Sequence, residues 1–87
     1  MSSQPAKYII QFKPGAIKDV EALPSRLQAR ILSRIERMSD NLRGSIKRLT
    51  DHTPEYRLRV GEYRILFEVE GETIVIYRVR HRREVYR

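Results

Sequence analysis

Residues 56–69 read Tyr-Arg-Leu-Arg-Val-Gly-Glu-Tyr-Arg-Ile-Leu-Phe-Glu-Val, which is two alternating runs joined by Gly61 and Glu62. A two-residue Gly-X connection is typical of a type II′ turn. The pattern therefore predicts a β-hairpin in which Arg59 lies directly opposite Arg64. Because side chains alternate between the faces of a strand, one face of this hairpin is apolar and requires a cover. That face carries Tyr56, Leu58, Val60, Tyr63, Ile65, Phe67 and Val69.

The opposite face of the hairpin is polar. Continued through the next turn, the alternation places on it Arg57, Arg59, Arg64, Tyr77 and His81. Like charges directly opposite each other, as Arg59 and Arg64 would be, destabilise a sheet. Two interpretations follow: an anion binds between the two arginines, or each extends into water near Glu68 or Glu55.

The flanking sequence completes a small α+β domain. The predicted elements are a strand at 7–12, helices at 15–22 and 25–40, a loop at 41–54, strands at 56–60, 63–69 and 73–81, and a closing segment at 82–87. The order β-α-α-β-β-β predicts a mainly antiparallel sheet with a helical hairpin packed on one face. A chain of 87 residues has room for one domain, spanning 1–87.

The second predicted helix has two parallel rows of side chains. Its apolar stripe consists of Leu27, Ile31, Ile35, Met38 and Leu42. Beside this stripe runs a basic row of Arg26, Arg30, Arg34 and Arg37. Such arginines commonly lay their stems along the edge of a core and keep their charged heads in water, and we expect that role here. In the polar loop that follows, Asp51 and His52 are interpreted as turn residues rather than as a catalytic pair.

Composition narrows the classes of function. Lys and Arg number 18 against 11 Asp and Glu, a net charge of +7, and 14 of the 18 are arginine. Arginine suits phosphate because of its planar fork of donors, so a polyanionic partner is expected, either a nucleic acid or an acidic protein. The absence of cysteine excludes disulfides and thiolate chemistry. No apolar run is long enough to cross a bilayer, no signal peptide is visible, and no metal or cofactor motif occurs. We expect a cytoplasmic protein without a cofactor.

Positive charge is concentrated in the C-terminal ten residues. Five arginines stand there against one glutamate, together with His81 and Tyr86. A tyrosine and a histidine among arginines can transfer protons while the cations stabilise charge on a reacting phosphate. Attack of an RNA 2′-hydroxyl on the adjacent phosphate requires such groups and no metal. The alternative is a basic tail that binds phosphates non-specifically.

Two strings, YRLRVGEYRI at 56–65 and HRREVYR at 81–87, resemble the RelE/ParE toxin superfamily, and the resemblance is closest to the RelE branch. It extends over nearly the whole chain. The resemblance implies a type II toxin that enters the ribosomal A site and cuts mRNA there. The implied activity is a metal-independent endoribonuclease. The implied partners are the ribosome, mRNA and a cognate RelB-like antitoxin.

The resemblance also implies roles for individual residues. Arg64 matches an arginine after the hairpin turn, and Tyr86 matches the tyrosine of the EVY motif. The late-strand basic position is Arg80 or His81. The implied catalytic residues are thus Arg64, Tyr86, His81 and Arg80, and the implied RNA-binding residues are Arg57, Arg59, Arg82 and Arg83. Two alternatives remain: a ParE-like inhibitor of DNA gyrase, and an RNA-binding protein without catalytic activity.

Overall fold

A computed structural model describes residues 7–85. The elements in chain order are β1 (Ile9–Phe12), α1 (Pro14–Glu21), α2 (Ser25–Met38), β2 (Ser45–Arg48), β3 (Tyr56–Val60), β4 (Tyr63–Glu70), β5 (Thr73–His81) and α3 (Arg82–Val85). The strands form one sheet in the order β1-β5-β4-β3-β2. β1 runs parallel to β5, and the other pairs are antiparallel. The predicted α+β class is confirmed. Within residues 7–85, no helix is long and apolar enough to cross a membrane.

The β3–β4 hairpin has the register predicted from its turn. Val60 lies opposite Tyr63, and Arg59 lies opposite Arg64. Gly61 adopts φ 57°, a value that residues with a Cβ rarely adopt. This explains why glycine occupies the first position of the turn. The predicted apolar face is covered: Leu58, Val60, Ile65 and Phe67 are buried, and Tyr56, Tyr63 and Val69 pack against them.

Helix α2 contributes to this cover. Its predicted stripe is confirmed, since Ile31, Ile35 and Met38 are buried in the same core and Leu27 and Leu42 pack against it. The four arginines of the adjacent row are exposed, as expected for side chains that keep their charged heads in water.

The predicted loop at 41–54 contains a strand that sequence analysis missed. β2 has four residues, and Ile46 is the apolar one among Ser, Lys and Arg, so it shows almost no alternation. Its strand conformation depends on pairing with β3, in which Ile46 lies opposite Leu58. Gly44 permits the approach, because a Cβ on it would lie 2.8 Å from Leu58 Cδ1.

A β-bulge between β4 and β5 changes which side chains face the solvent. Leu66 pairs with Arg78 but Phe67 pairs with Ile76, which leaves Tyr77 as the extra residue. An extra residue reverses the alternation beyond it. Arg78 and Arg80 therefore join the polar face, while Val79 and His81 turn to the helix-covered face.

The predicted position of His81 on the polar face is consequently wrong. His81 lies opposite Tyr63, and the two rings meet edge to face with centroids 5.3 Å apart.

Candidate nucleic-acid interface

Three arginines form a row across the centre of the polar sheet face. Arg64 of β4 lies opposite Arg59 of β3 on one side and opposite Arg80 of β5 on the other. Side chains directly opposite in a sheet have Cβ atoms about 5 Å apart. We call Arg59, Arg64 and Arg80 the arginine row. The next row along the strands is Lys47, Arg57, Leu66 and Arg78, so three further cations lie on one side of the arginine row.

Arg64 is held by the backbone of its own hairpin. It is only 8% exposed, and its Nη1 donates to the carbonyl oxygens of Gly61 at 2.9 Å and Tyr63 at 3.0 Å. Within residues 7–85 it forms no ion pair with a carboxylate. A buried guanidinium without a counter-ion is costly, so this geometry favours binding of an external anion.

The two nearby carboxylates are engaged elsewhere. Glu68 accepts a hydrogen bond from the backbone N–H of Glu55. The Glu55 carboxylate pairs with Arg48 on β2 and accepts a hydrogen bond from its Nε. This hydrogen bond and the negative charge of Glu55 raise the pKa of Arg48 above its ordinary value. Within residues 7–85, neither Arg59 nor Arg64 pairs with Glu55 or Glu68. Arg59 is exposed and Arg64 is buried, so the second interpretation does not describe Arg64, and an anion between the arginines stays a prediction.

Arg78 is positioned by a carboxylate from α1. Asp19 accepts from Arg78 Nε at 2.8 Å and Nη2 at 3.0 Å, and also from the backbone N–H of Val79 at 2.9 Å. Burial raises the pKa of Asp19, but the hydrogen bonds from Arg78 and Val79 and the charges of Arg78 and Arg80 outweigh it, so this pKa lies below its ordinary value. The fork-to-fork contact holds the Arg78 guanidinium in one orientation.

Two shallow grooves cross the polar face and meet at Arg57. The first, of about 310 Å³, is lined by Ser45, Ile46, Lys47, Arg57, Arg59 and Arg64. The second, of about 340 Å³, is lined by Leu49, His52, Thr53, Pro54, Arg57, Leu66, Arg78, Arg80, Glu84 and Val85. We call them the β2 groove and the His52 groove. Both grooves are lined by Arg57, so their basic side chains are neighbours on this face.

The α3 turn borders the His52 groove. Arg80 Nη1 lies 3.4 Å from Glu84, whose carboxylate also accepts from the backbone N–H of His81 at 3.1 Å. Arg82 is exposed and lies 3.4 Å from Glu62 of the hairpin turn, and Arg83 is exposed beside it. Tyr86, the predicted proton-transfer residue, lies outside the described residues.

The chain matches a known protein family over most of its length. The family is described as "ParE toxin of type II toxin-antitoxin system, parDE", and the match extends over residues 10–86. The chain belongs to the ParE/RelE family of toxins of type II toxin–antitoxin systems. The predicted membership is thereby confirmed.

Relatives within this toxin family carry RelE names. The chain is 35% identical over 82 residues to Toxin RelE3 of Methanocaldococcus jannaschii, covering 88% of this chain and 93% of that protein. A RelB-RelE antitoxin-toxin complex from Methanococcus jannaschii contains a similar structure, with 38% identity, a TM-score of 0.72 and coverage of 87% and 94% of the two chains. The toxin-antitoxin complex RelBE2 from Mycobacterium tuberculosis contains another, with 28% identity, a TM-score of 0.76 and coverage of 92% and 97%.

The toxin's site differs from the predicted one in three respects. His81 leaves the polar face, whereas His52, interpreted as a turn residue, lines a groove beside Arg57 and Arg80. Asp19 was missed because its partner Arg78 is 59 residues away in the chain. Lys47 was missed because the β2 strand was not predicted. No local sequence pattern signals any of these, since each depends on a pairing between distant segments.

Proposed function

We propose that this toxin is a ribosome-dependent endoribonuclease that cuts mRNA in the A site without a metal, by attack of a 2′-hydroxyl on the adjacent phosphate. The supporting observation is the arginine row, in which three cations from three strands lie side by side and, within residues 7–85, only Arg80 pairs with a carboxylate, that of Glu84. A sheet tolerates such repulsion poorly, and a phosphate bound there would relieve it. Fixed cations also stabilise the extra negative charge of the pentacoordinate transition state.

Each residue would have a role that follows from its position on the polar face or in the C-terminal segment. Arg64, oriented by the carbonyls of Gly61 and Tyr63, would hold the scissile phosphate with its remaining N–H groups, assisted by Arg59 and Arg80. Side chains on either side of this row would bind neighbouring phosphates: they are Lys47, Arg57, Arg78, Arg82 and Arg83. Tyr86 would donate or accept a proton.

The test is cleavage of ribosome-bound mRNA by purified variants. Arg64→Ala and Tyr86→Phe should each slow cleavage by about 10²-fold or more, the usual scale for a lost charge-stabilising or proton-transfer group. Arg26→Ala removes one positive charge from an exposed position on α2, away from the arginine row, and should cut at the wild-type rate. Wild-type rates in both Arg64→Ala and Tyr86→Phe would contradict the proposal.

A second candidate function is inhibition of DNA gyrase, which the ParE description of the matching family favours. A toxin of this kind would arrest growth while leaving mRNA intact, and it would block supercoiling by purified gyrase. A third outcome, RNA binding without cleavage or gyrase inhibition, would indicate a non-catalytic RNA-binding protein. The two assays separate all three functions.

We also propose a RelB-like antitoxin as the cytoplasmic partner. Solved structures similar to this chain belong to antitoxin-toxin complexes. A net charge of +7 favours an acidic partner segment. Apolar side chains remain exposed for it at Ile9, Ile17 and Leu32. An antitoxin segment that covers the basic face would exclude RNA from it.

A further inference from the structure

The two histidines of the chain differ in the nitrogen that each leaves available. His81 Nδ1 accepts a hydrogen bond from the backbone N–H of Arg83 at 3.2 Å. Because Nδ1 is the acceptor, the neutral ring carries its proton on Nε2. The lone pair of His81 is therefore already occupied, and the ring packs against Tyr63 on the helix-covered face. His81 has no free basic nitrogen directed toward the polar face.

His52 has the opposite arrangement. Its Nδ1 lies 2.8 Å from the carbonyl oxygen of Thr50. A carbonyl oxygen can only accept, so Nδ1 must donate, and the neutral ring then has its lone pair on Nε2. A backbone carbonyl that fixes the tautomer in this way is the arrangement that prepares the second ring nitrogen to take a proton.

His52 shares a groove with arginines that can bind a phosphate. The exposed ring lines the His52 groove together with Arg57 of β3 and with Arg78 and Arg80 of β5. Arg80 belongs to the arginine row, and Arg57 is shared with the β2 groove. A phosphate bound by these arginines would bring the attached ribose into the same groove as the imidazole.

We propose that His52 is the general base of the cleavage reaction, an assignment that rests on the proposed endoribonuclease function. His52 Nε2 takes the proton of the ribose 2′-hydroxyl, and the 2′-oxygen forms a bond to phosphorus. The bond between phosphorus and the 5′-oxygen breaks, and the leaving oxygen takes the proton that the proposed function expects Tyr86 to donate. The products are a 2′,3′-cyclic phosphate and a 5′-hydroxyl, and His52 later releases its proton to solvent.

The charged groups around His52 come from its own loop and from four other elements. Its own loop contributes Asp51 and Glu55, β2 contributes Arg48, β3 and β5 contribute Arg57, Arg78 and Arg80, and α3 contributes Glu84. Histidine is the residue type that ordinarily changes its charge between pH 5 and 8. Because only the neutral imidazole accepts a proton, the cleavage rate should rise with pH across this range.

The test compares His52→Asn with His81→Asn. Asparagine at 52 keeps an N–H donor for the Thr50 carbonyl and removes Nε2. Asparagine at 81 keeps an acceptor for the Arg83 N–H, a role that asparagine fills well at a helix start. Each variant thus preserves the local hydrogen bond and removes the rest of the ring, so the pair is matched.

The measurement is the single-turnover rate of cleavage of ribosome-bound mRNA from pH 5 to 8, together with binding of a single-stranded RNA oligomer and the thermal midpoint. His52→Asn should cut mRNA at least about 10²-fold more slowly than wild type, and its rate should no longer rise with pH. It should keep the RNA affinity and the thermal midpoint of wild type. His81→Asn should keep both the rate and the rise with pH.

Each other outcome overturns the assignment. A wild-type rate and pH profile in His52→Asn would exclude His52 as the base. Equal losses of rate and RNA affinity would make it a binding contact instead, and loss of the pH dependence in His81→Asn would return the role to His81. Wild-type toxin that cuts no RNA would overturn the proposed function itself, which distinguishes that failure from failure of the His52 assignment.

Discussion

The two faces of the sheet differ in the neighbours that they give to buried side chains on the same strands. On the helix-covered face, Ile65 and Phe67 are fully buried among apolar neighbours. On the polar face, Arg64 is also buried, but its cross-strand neighbours are two further arginines. The covered face therefore gains stability from every contact, whereas the polar face keeps contacts that oppose folding.

This difference is the reason for proposing the polar face as the binding surface. A surface shaped by stability alone would alternate charges across strands, because opposite charges in that position are favourable. The nearby carboxylates of Glu55 and Glu68 are instead engaged with Arg48 and a backbone N–H. The cost of the unbalanced face is expected to be small beside the free energy that the covered face contributes, and this can be measured.

The largest effect is expected from truncation on the covered face. Phe67 is fully buried and stacks on Tyr56 with ring centroids 5.4 Å apart. Phe67→Ala should lower the free energy of unfolding by about 3–5 kcal/mol, because it removes transfer free energy and leaves a cavity. Urea titration followed by circular dichroism measures this loss.

The neighbouring residue provides the control for the other face. Leu66 precedes Phe67 in β4 but lies on the polar face and is only half-buried. Leu66→Ala should cost less than about 2 kcal/mol, since water already reaches part of the side chain. Equal losses at 66 and 67 would contradict the distinction between the faces.

An intermediate effect is expected from the Asp19 contact, which connects α1 to the polar face. Asp19→Asn should lower the free energy of unfolding by about 1–2 kcal/mol at pH 7, because an amide N–H₂ would then face the donors of Arg78 or Val79. The folded pKa of Asp19 is lowered, so its contribution is present above the unfolded value of about 3.9 and is lost as pH falls through the lower, folded value. The difference between wild type and Asp19→Asn should therefore close below about pH 4.

Asp40→Asn is the matched control for this measurement. Asp40 lies 3.9 Å from Arg43, and both side chains are more than half exposed. Surface pairs of this kind contribute little, so the variant should unfold like wild type at every pH. A difference for Asp19→Asn that persists unchanged at pH 3 would show that its carboxylate charge is not the source of the stabilisation.

The smallest effect is expected at Arg59, and it should be a gain. Arg59→Thr removes one like charge opposite Arg64 and introduces a good strand former. The free energy of unfolding should rise by a few tenths to about 1 kcal/mol, and the gain should shrink in high salt. Arg59→Lys keeps the charge and should show no gain. A less stable Arg59→Thr protein would mean that the arginine row does not oppose folding.

Much of the fold follows from local sequence patterns. The β3–β4 register follows from one glycine turn and an alternating pattern, and the α2 core stripe follows from helical spacing. Both depend on residues close together in the chain, so turn chemistry and periodicity are sufficient to predict them. The arginine pair Arg59 and Arg64 was predicted for the same reason.

The remaining features depend on contacts between distant segments. The bulge at Tyr77 brings Arg78 and Arg80 to the polar face and takes His81 away from it. Strand β2 exists through its pairing with β3, and Asp19 meets Arg78 only because α1 packs along β5. Local alternation carries no information about a single extra residue in a strand pair, and a one-residue shift reverses every side chain beyond it. For that reason the sequence by itself determined the β3–β4 hairpin and the α2 core stripe, whereas the pairing of the strands decided which histidine lies in the groove.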